Sequence, residues 1–231
     1  MRIGILETGE PPVALQPEFG RYTGMMERML GPAFSYEIFD VVENAPPSPD
    51  ACDAFIVTGA SAGVYDDLPW IAPMERFLRA AKGQVPLIGI CFGHQLMAQA
   101  FGGVVEKSPK GWCAGLHAYQ VTHREPWMDA AEVIAIPASH QDQVVAAPPN
   151  ARAILASDFT PFGALAYDDQ PAISFQGHPE FEPAFAQALY ESRLDAPYDE
   201  AKASQVIASL AAPNDRALVA TWVRTFLNRP A

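Results

Sequence analysis

The chain has 231 residues, 49% of them hydrophobic and 18% charged, with a formal net charge of −12 and a pI near 4.7. That length suits one large α/β domain with a substantial core, and the composition excludes a disordered chain. The acidic balance argues against nucleic-acid binding, which needs a basic footprint, and no apolar run approaches the ~20 residues of a membrane span.

In chain order, Ile3 to Glu7 reads as a first strand with no apolar signal core before it, so a cytoplasmic location is expected. Arg21 to Leu30 reads as a helix with Tyr22, Met25, Met26 and Met29 on one apolar face. Tyr36 to Val42 reads as a second strand, and the proline-rich Ala45 to Asp50 as a loop. Asp53 to Val57 reads as a buried strand ending at Thr58-Gly59, and Pro69 to Ala81 as a helix leading to the apolar Leu87, Ile88 and Ile90. This βαβ alternation predicts an α/β fold with a mostly parallel twisted sheet flanked by helices.

Beyond Gly102-Gly103 the expected strands are shorter: Gly103 to Glu106, His117 to Thr122, Val133 to Ile136, Ala153 to Ala156, Ala164 to Tyr167 and Ala172 to Gln176. They suggest antiparallel strands added to the parallel core. From Pro183 the chain reads as helical, with a bend at Asp195-Ala196-Pro197. No internal repeat is seen, and the simplest organisation is a single domain over residues 1–231, with 183–231 as its C-terminal helical part.

The most informative residue is Cys91, where an apolar strand run meets a helix-prone run from Gln95 to Ala100. Gly89 and Gly93 flank it two residues away on each side, and such glycines let the backbone turn sharply between strand and helix. The pattern is the cysteine counterpart of the Gly-x-Ser-x-Gly nucleophile elbow, and a helix N-terminus behind the sulfur favours the thiolate. A buried structural cysteine is the competing reading. The other two cysteines, Cys52 and Cys113, complete no spacing typical of zinc or of a disulfide framework.

A second segment, Ala172 to Phe175, ends in Gln176-Gly177-His178-Pro179-Glu180. A histidine at a strand end suits a general base, and Glu180 two residues on can hold its imidazole in the right tautomer. Pro179 stiffens the link between them. Ligands in open α/β sheets bind at the carboxyl ends of strands, where Gly59, Cys91 and His178 all fall.

Together, Gly89-Ile90-Cys91-Phe92-Gly93-His94-Gln95 and Gly177-His178-Pro179-Glu180 resemble the class I, triad-type glutamine amidotransferases. Thr58-Gly59-Ala60-Ser61 and Ser139-His140-Gln141-Asp142-Gln143-Val144 support the likeness, which runs in order from about Ile3 to Tyr190. Within that family the chain is similar to stand-alone members related to the amidotransferase domain of GMP synthase, a group that includes γ-glutamyl peptidases.

The resemblance implies a flavodoxin-like α/β fold and a Cys-His-Glu triad of Cys91, His178 and Glu180. It implies oxyanion donors from the backbone of Phe92 and of the Gly59-Ala60 loop, and contacts to the substrate from Gln95, Ser139 and His140. Many relatives carry Gly-Gly-Pro where this chain has Gly59-Ala60-Ser61, so either loop amide could face the oxyanion. Ser139 and His140 read equally well as a turn cap and a polar rim residue. Trp112-Cys113, in a glycine-flanked loop, reads more simply as packing than as a pocket wall.

The activity so implied is hydrolysis of glutamine, or another γ-glutamyl amide, through a γ-glutamyl thioester that releases glutamate and ammonia. No cofactor is called for: the five histidines show no paired ligand spacing, and no phosphate-binding glycine signature is present. Nothing after Pro183 resembles a synthase domain. The ammonia is then passed to a separate synthase, or the protein acts alone as a γ-glutamyl peptidase on glutathione-like compounds. A catalytically silent binding module on the same fold is the third reading, against which the intact Cys91, His178 and Glu180 count.

Overall fold

The computed structural model describes residues 1–193 and 200–229; the expected bend at residues 195–197 lies outside them. The first half alternates strand and helix: β1 (Arg2–Glu7), a 3-10 turn (Val13–Leu15), α1 (Gln16–Phe19), α2 (Tyr22–Leu30), β2 (Ser35–Asp40), β3 (Ala54–Val57), α3 (Ile71–Ala81), β4 (Leu87–Ile90) and α4 (Phe92–Ala100). The second half is strand-rich: β5 (Val104–Lys107), β6 (Cys113–Val121), β7 (Val133–His140), β8 (Asp142–Ala146), β9 (Ala151–Ala156), β10 (Ala164–Tyr167) and β11 (Ala172–Phe175). Helices α5 (Pro183–Glu191), α6 (Glu200–Ser209) and α7 (Arg216–Leu227) follow.

Among the described residues, one nine-stranded sheet runs in the order β2-β1-β3-β4-β11-β10-β9-β6-β7, and β5 and β8 form a separate two-stranded ribbon. Strands β2, β1, β3, β4 and β11 pair in parallel, whereas β10, β9, β6 and β7 join antiparallel. The central strands Ala54–Val57, Leu87–Ile90 and Ala172–Phe175 are buried at every position, as parallel strands covered on both faces must be.

Successive side chains point to opposite faces and feed two cores. Ile3, Ile5, Ile56, Ile88 and Ile90 pack with Met26, Trp222 and Val223 of α2 and α7. Leu6, Phe55, Val57 and Leu87 pack on the other face with Met74 and Leu78 of α3 and with Leu96 and Met97 of α4. A third cluster, Tyr22, Phe181, Phe185, Leu189 and Tyr190, seats α5 against α2. Helix α2 stops at Gly31, whose φ of 80° suits glycine and whose N–H returns to the Glu27 carbonyl at 2.8 Å. No helix among the described residues is long and apolar enough to cross a membrane.

Three differences from the sequence reading have physical causes. Strand β7 continues through Pro137 to His140, because β7 is an edge strand and a proline costs no ladder bond on its open side. Strand β6 begins at Cys113, inside the glycine-flanked loop, drawn in by pairing of Cys113 with His140 and Ala114 with Ser139. The polar Asp142–Ala146 segment forms β8 because β5 offers it a partner, which local propensity does not register.

Candidate active site

Strands β3, β4 and β11 are adjacent and parallel, so their carboxyl ends deliver Gly59, Cys91 and His178 to one edge of the sheet. Cys91 is the sharp turn itself. Its backbone has φ 53° and ψ −103°, and helix α4 begins at the next residue. A non-glycine residue held there costs about 1–3 kcal/mol, which the surrounding structure must offset. The restraints are visible: Cys91 N–H donates to the Phe175 carbonyl at 2.8 Å, Gly93 N–H to the Thr58 carbonyl at 3.1 Å, and Gln95 N–H to the carbonyl of Cys91 itself at 3.1 Å.

The flanking glycines serve clearance rather than the turn, and neither has positive φ. A Cβ on Gly89 would lie 2.6 Å from the Gly93 backbone, and one on Gly93 only 2.3 Å from the Val57 carbonyl oxygen. Strand and helix therefore touch backbone to backbone beneath the cysteine.

His178 and Glu180 follow β11 and are both buried. His178 N–H is held by the Pro137 carbonyl of β7 at 2.7 Å, and the imidazole stacks on Phe181 with ring centroids 3.8 Å apart. Imidazole Nδ1 bonds Glu180 Oε1 at 2.7 Å, which leaves Nε2 for the Cys91 sulfur, to which His178 is also hydrogen-bonded. Burial pushes the imidazole toward neutrality, but the Glu180 carboxylate and the Cys91 sulfur outweigh it and raise its pKa to about 10. Arg216 on α7 donates to the Glu180 backbone carbonyl at 3.2 Å and fixes the end of this turn.

Opposite the sulfur lies the loop after β3. Thr8 and Thr58 clamp its base: Thr8 N–H donates to Thr58 Oγ1, and Thr8 Oγ1 to the Thr58 carbonyl, each at 3.0 Å. Neither Gly59 nor Ala60 has positive φ. Gly59 is demanded by space, since a Cβ there would stand 3.3 Å from His178 Cε1 and 3.6 Å from Cys91 Cβ. Ala60 is an ordinary backbone position, so its amide is as serviceable as a glycine amide. Among the described residues the amides of Phe92, Gly59 and Ala60 donate to no protein acceptor.

Gln95, Ser139 and His140 line one cavity of about 270 Å³ beside Cys91. Gln95 Nε2 is committed to the Asp142 carbonyl at 2.8 Å and to Gln176 Oε1 at 3.1 Å, so its own carbonyl oxygen is the group left over. His140 Nδ1 faces the Asp142 carbonyl at 3.0 Å and must donate to it, while buried Nε2 has no protein partner. Burial lowers the His140 pKa to about 3, so Nε2 is a bare acceptor. Ser139 Oγ accepts from Arg193 Nη1 at 2.9 Å. His94, though near in sequence, is fully buried against Ser174 Oγ at 2.8 Å and held neutral.

The same cavity is lined by residues the sequence did not single out, among them Tyr65, Lys107, Trp112 and Arg193. Nothing local marks them: Arg193 follows α5 and Lys107 ends β5, and only the tertiary fold brings them to Cys91. A glycine-flanked tryptophan was the one available signal, and Trp112 does stand in the cavity wall.

A parallel α/β sheet carrying a strained cysteine elbow, with a histidine–carboxylate pair on the neighbouring strand end, defines a nucleophile-elbow architecture with a thiol in the serine position. Comparison with known proteins gives the family. The model of the class-I glutamine amidotransferases matches residues 33–192, and the chain belongs to that family. It is 30% identical over 196 residues to a glutamine amidotransferase-like protein of Schizosaccharomyces pombe, covering 78% of this chain and 79% of that one. It is also 30% identical over 178 residues to the glutamine-hydrolyzing component of GMP synthase from Archaeoglobus fulgidus, covering 77% of this chain and 93% of the relative. The fold matches a glutamine amidotransferase from Thermotoga maritima with a TM-score of 0.79, at 14% identity and covering 99% of each chain.

Proposed function

We propose that the protein hydrolyses a γ-glutamyl amide, glutamine being the simplest, with Cys91 as nucleophile, His178 as proton carrier and Glu180 as its orienting carboxylate. The observation that carries this reading is the chain of hydrogen bonds from Glu180 through His178 to a cysteine held at φ 53°. The buried carboxylate keeps the imidazole protonated beside the sulfur, so a thiolate–imidazolium pair is the resting state.

The thiolate attacks the amide carbon, and the oxygen that becomes negative is met by backbone N–H groups of Phe92 and of Gly59 or Ala60. One such donor is worth about 10²–10³ in rate. The imidazolium gives its proton to the departing nitrogen, the C–N bond breaks, and a γ-glutamyl thioester remains. Water, deprotonated by His178, then attacks the thioester and releases glutamate and the thiolate.

The glutamyl head fits the cavity that holds Gln95 and His140. Both present an acceptor and no free donor, which suits the substrate ammonium, and Lys107 supplies a cation for its α-carboxylate. Resemblance to a component of a synthase supports transfer of the ammonia to a separate synthase, in a single cytoplasmic domain without a cofactor of its own.

The test is incubation of purified protein with glutamine, quantifying glutamate and ammonia in equal amounts, with Cys91→Ala alongside. Equal rates in the two proteins would refute the nucleophile. Tight binding of γ-glutamyl ligands without turnover would instead identify a silent binding module.

A further inference from the structure

Cys91 stands between two cavities. Besides the one that holds Gln95 and His140, a second of about 190 Å³ opens on the other side of the sulfur, and both share Ala60, Ser61, Ser139 and Arg193. The second contains His178 and is walled by Tyr22, Phe181 and Leu189.

We propose that this second cavity is a leaving-group pocket for an amino acid with an apolar side chain, whose carboxylate is read by Arg193, so that γ-glutamyl dipeptides ending in an apolar residue are preferred over glutamine. The inference rests on the thiol-hydrolase reading above and adds to it the identity of the amine.

The side on which the amine sits follows from the proton. In the acylation step the C–N bond breaks while a C–S bond forms, and the nitrogen leaves with a proton from His178. That nitrogen must therefore face His178, which places everything attached to it in the second cavity. The water that later cleaves the thioester supplies the hydroxyl of glutamate, so the products balance as glutamate and a free amino acid.

The size and lining of the cavity match that amine rather than ammonia. A single water-sized molecule needs only about 10–15 Å³ on this measure, far less than the 190 Å³ present. Tyr22, Phe181 and Leu189 come from three separate segments and belong to one apolar cluster. Ammonia gains nothing from such walls, whereas a branched or aromatic side chain removes its surface from water against them.

The charge is placed to match. Arg193 touches both cavities, its guanidinium lies 5.8 Å from the Trp112 ring, and its Nη1 donates to Ser139. Among the described residues no carboxylate pairs with it. The neighbouring cation, Arg21, is by contrast already engaged by Glu7 at 2.6 Å and Glu10 at 2.5 Å. A guanidinium fork accepts a carboxylate on two parallel hydrogen bonds, a geometry an amino-acid leaving group satisfies and ammonia cannot.

The test compares kcat/KM of the intact protein for glutamine, γ-glutamyl-leucine and γ-glutamyl-leucinamide, the last lacking the carboxylate. The dipeptide should exceed glutamine by at least about tenfold, the scale of a filled apolar pocket, and capping its carboxylate should remove about tenfold. Arg193→Met should lower kcat/KM for γ-glutamyl-leucine about ten- to a hundredfold more than for glutamine, and should abolish the difference between dipeptide and capped dipeptide. Glutamine cleaved as fast as the dipeptide overturns the leaving-group pocket, a result obtained on the unaltered protein. An equal fall on all three substrates in Arg193→Met assigns the arginine to the glutamyl end and overturns its proposed role. Release of glutamate from none of them, in protein that matches Cys91→Ala, is instead the failure of the hydrolase reading itself.

Discussion

Replacing Glu180 by glutamine isolates the charge behind His178 from the shape. Glutamine keeps an acceptor for Nδ1–H at the position of Oε1, now 2.7 Å away, but removes the carboxylate's negative charge. In the native protein that charge and the sulfur overcome burial and raise the imidazole from 6.5 to about 10. One pKa unit is worth about 1.4 kcal/mol, so the net preference for imidazolium is on the order of 5 kcal/mol. Without Glu180, only the thiolate opposes burial, and the pair loses its proton at lower pH.

The sign is fixed for both readouts. The folded value lies above the unfolded one, so the stabilisation from His178 is complete below about 6.5 and is lost as pH rises toward 10. Native protein should therefore lose stability across that interval, and Glu180→Gln should show a flatter profile. The alkaline limb of kcat/KM should lie near pH 10 in the native enzyme and move toward neutrality in the variant, with a rate loss of roughly 10²-fold at pH 7.5, at the low end of what a positioned acid–base group contributes. Stopped assays from pH 6 to 10.5 and melts over the same range measure both. An alkaline limb that does not move would falsify the assignment of Glu180 as the source of the raised imidazole.

His178→Ala should cost more than Glu180→Gln, since it removes the proton carrier and not only its orientation; the reverse ranking in kcat overturns the two roles. Cys91→Ser should keep the fold but lose several orders of magnitude in turnover, and a glutamine-like diazo-ketone should label Cys91 ahead of buried Cys52 and Cys113, read by peptide mass mapping. Gly59→Ala brings a Cβ to 3.3 Å from His178 and should lower kcat about tenfold with little change in Tm, whereas Gly93→Ala meets the Val57 carbonyl at 2.3 Å and should destabilise the whole chain by several kcal/mol in denaturant titrations. Turnover should survive exhaustive chelation, because every step uses a side chain or an amide; loss on EDTA treatment and recovery with zinc would mean that Cys91 and His178 are ligands instead.

The sequence made the catalytic edge legible because each of its parts is local. An apolar run that stops on Gly-x-Cys-x-Gly or Gly-His-Pro-Glu announces a strand end whatever surrounds it, and the parallel order of β3, β4 and β11 then does the assembly. The glycines were legible but not their purpose. Their spacing suggested freedom to turn, whereas the turn falls on Cys91 and they supply backbone clearance. Arg193, Lys107 and Tyr65 were not legible at all. Each is a common polar residue at the end of an element or in a loop, and what sets it apart is a neighbour far away in the sequence.

The backbone of residue 91 also makes the chain's own history readable. At φ 53° the residue best suited to folding is glycine, so a cysteine there is kept against the interest of stability. Selection that ceased to need a thiol would have every reason to let the position drift, with Cys91→Gly relieving the local strain at a stroke. A relative bearing glycine at this place has thus traded chemistry for a more comfortable chain, and the persistence of cysteine registers continuing use of the sulfur in a way that a core leucine never could.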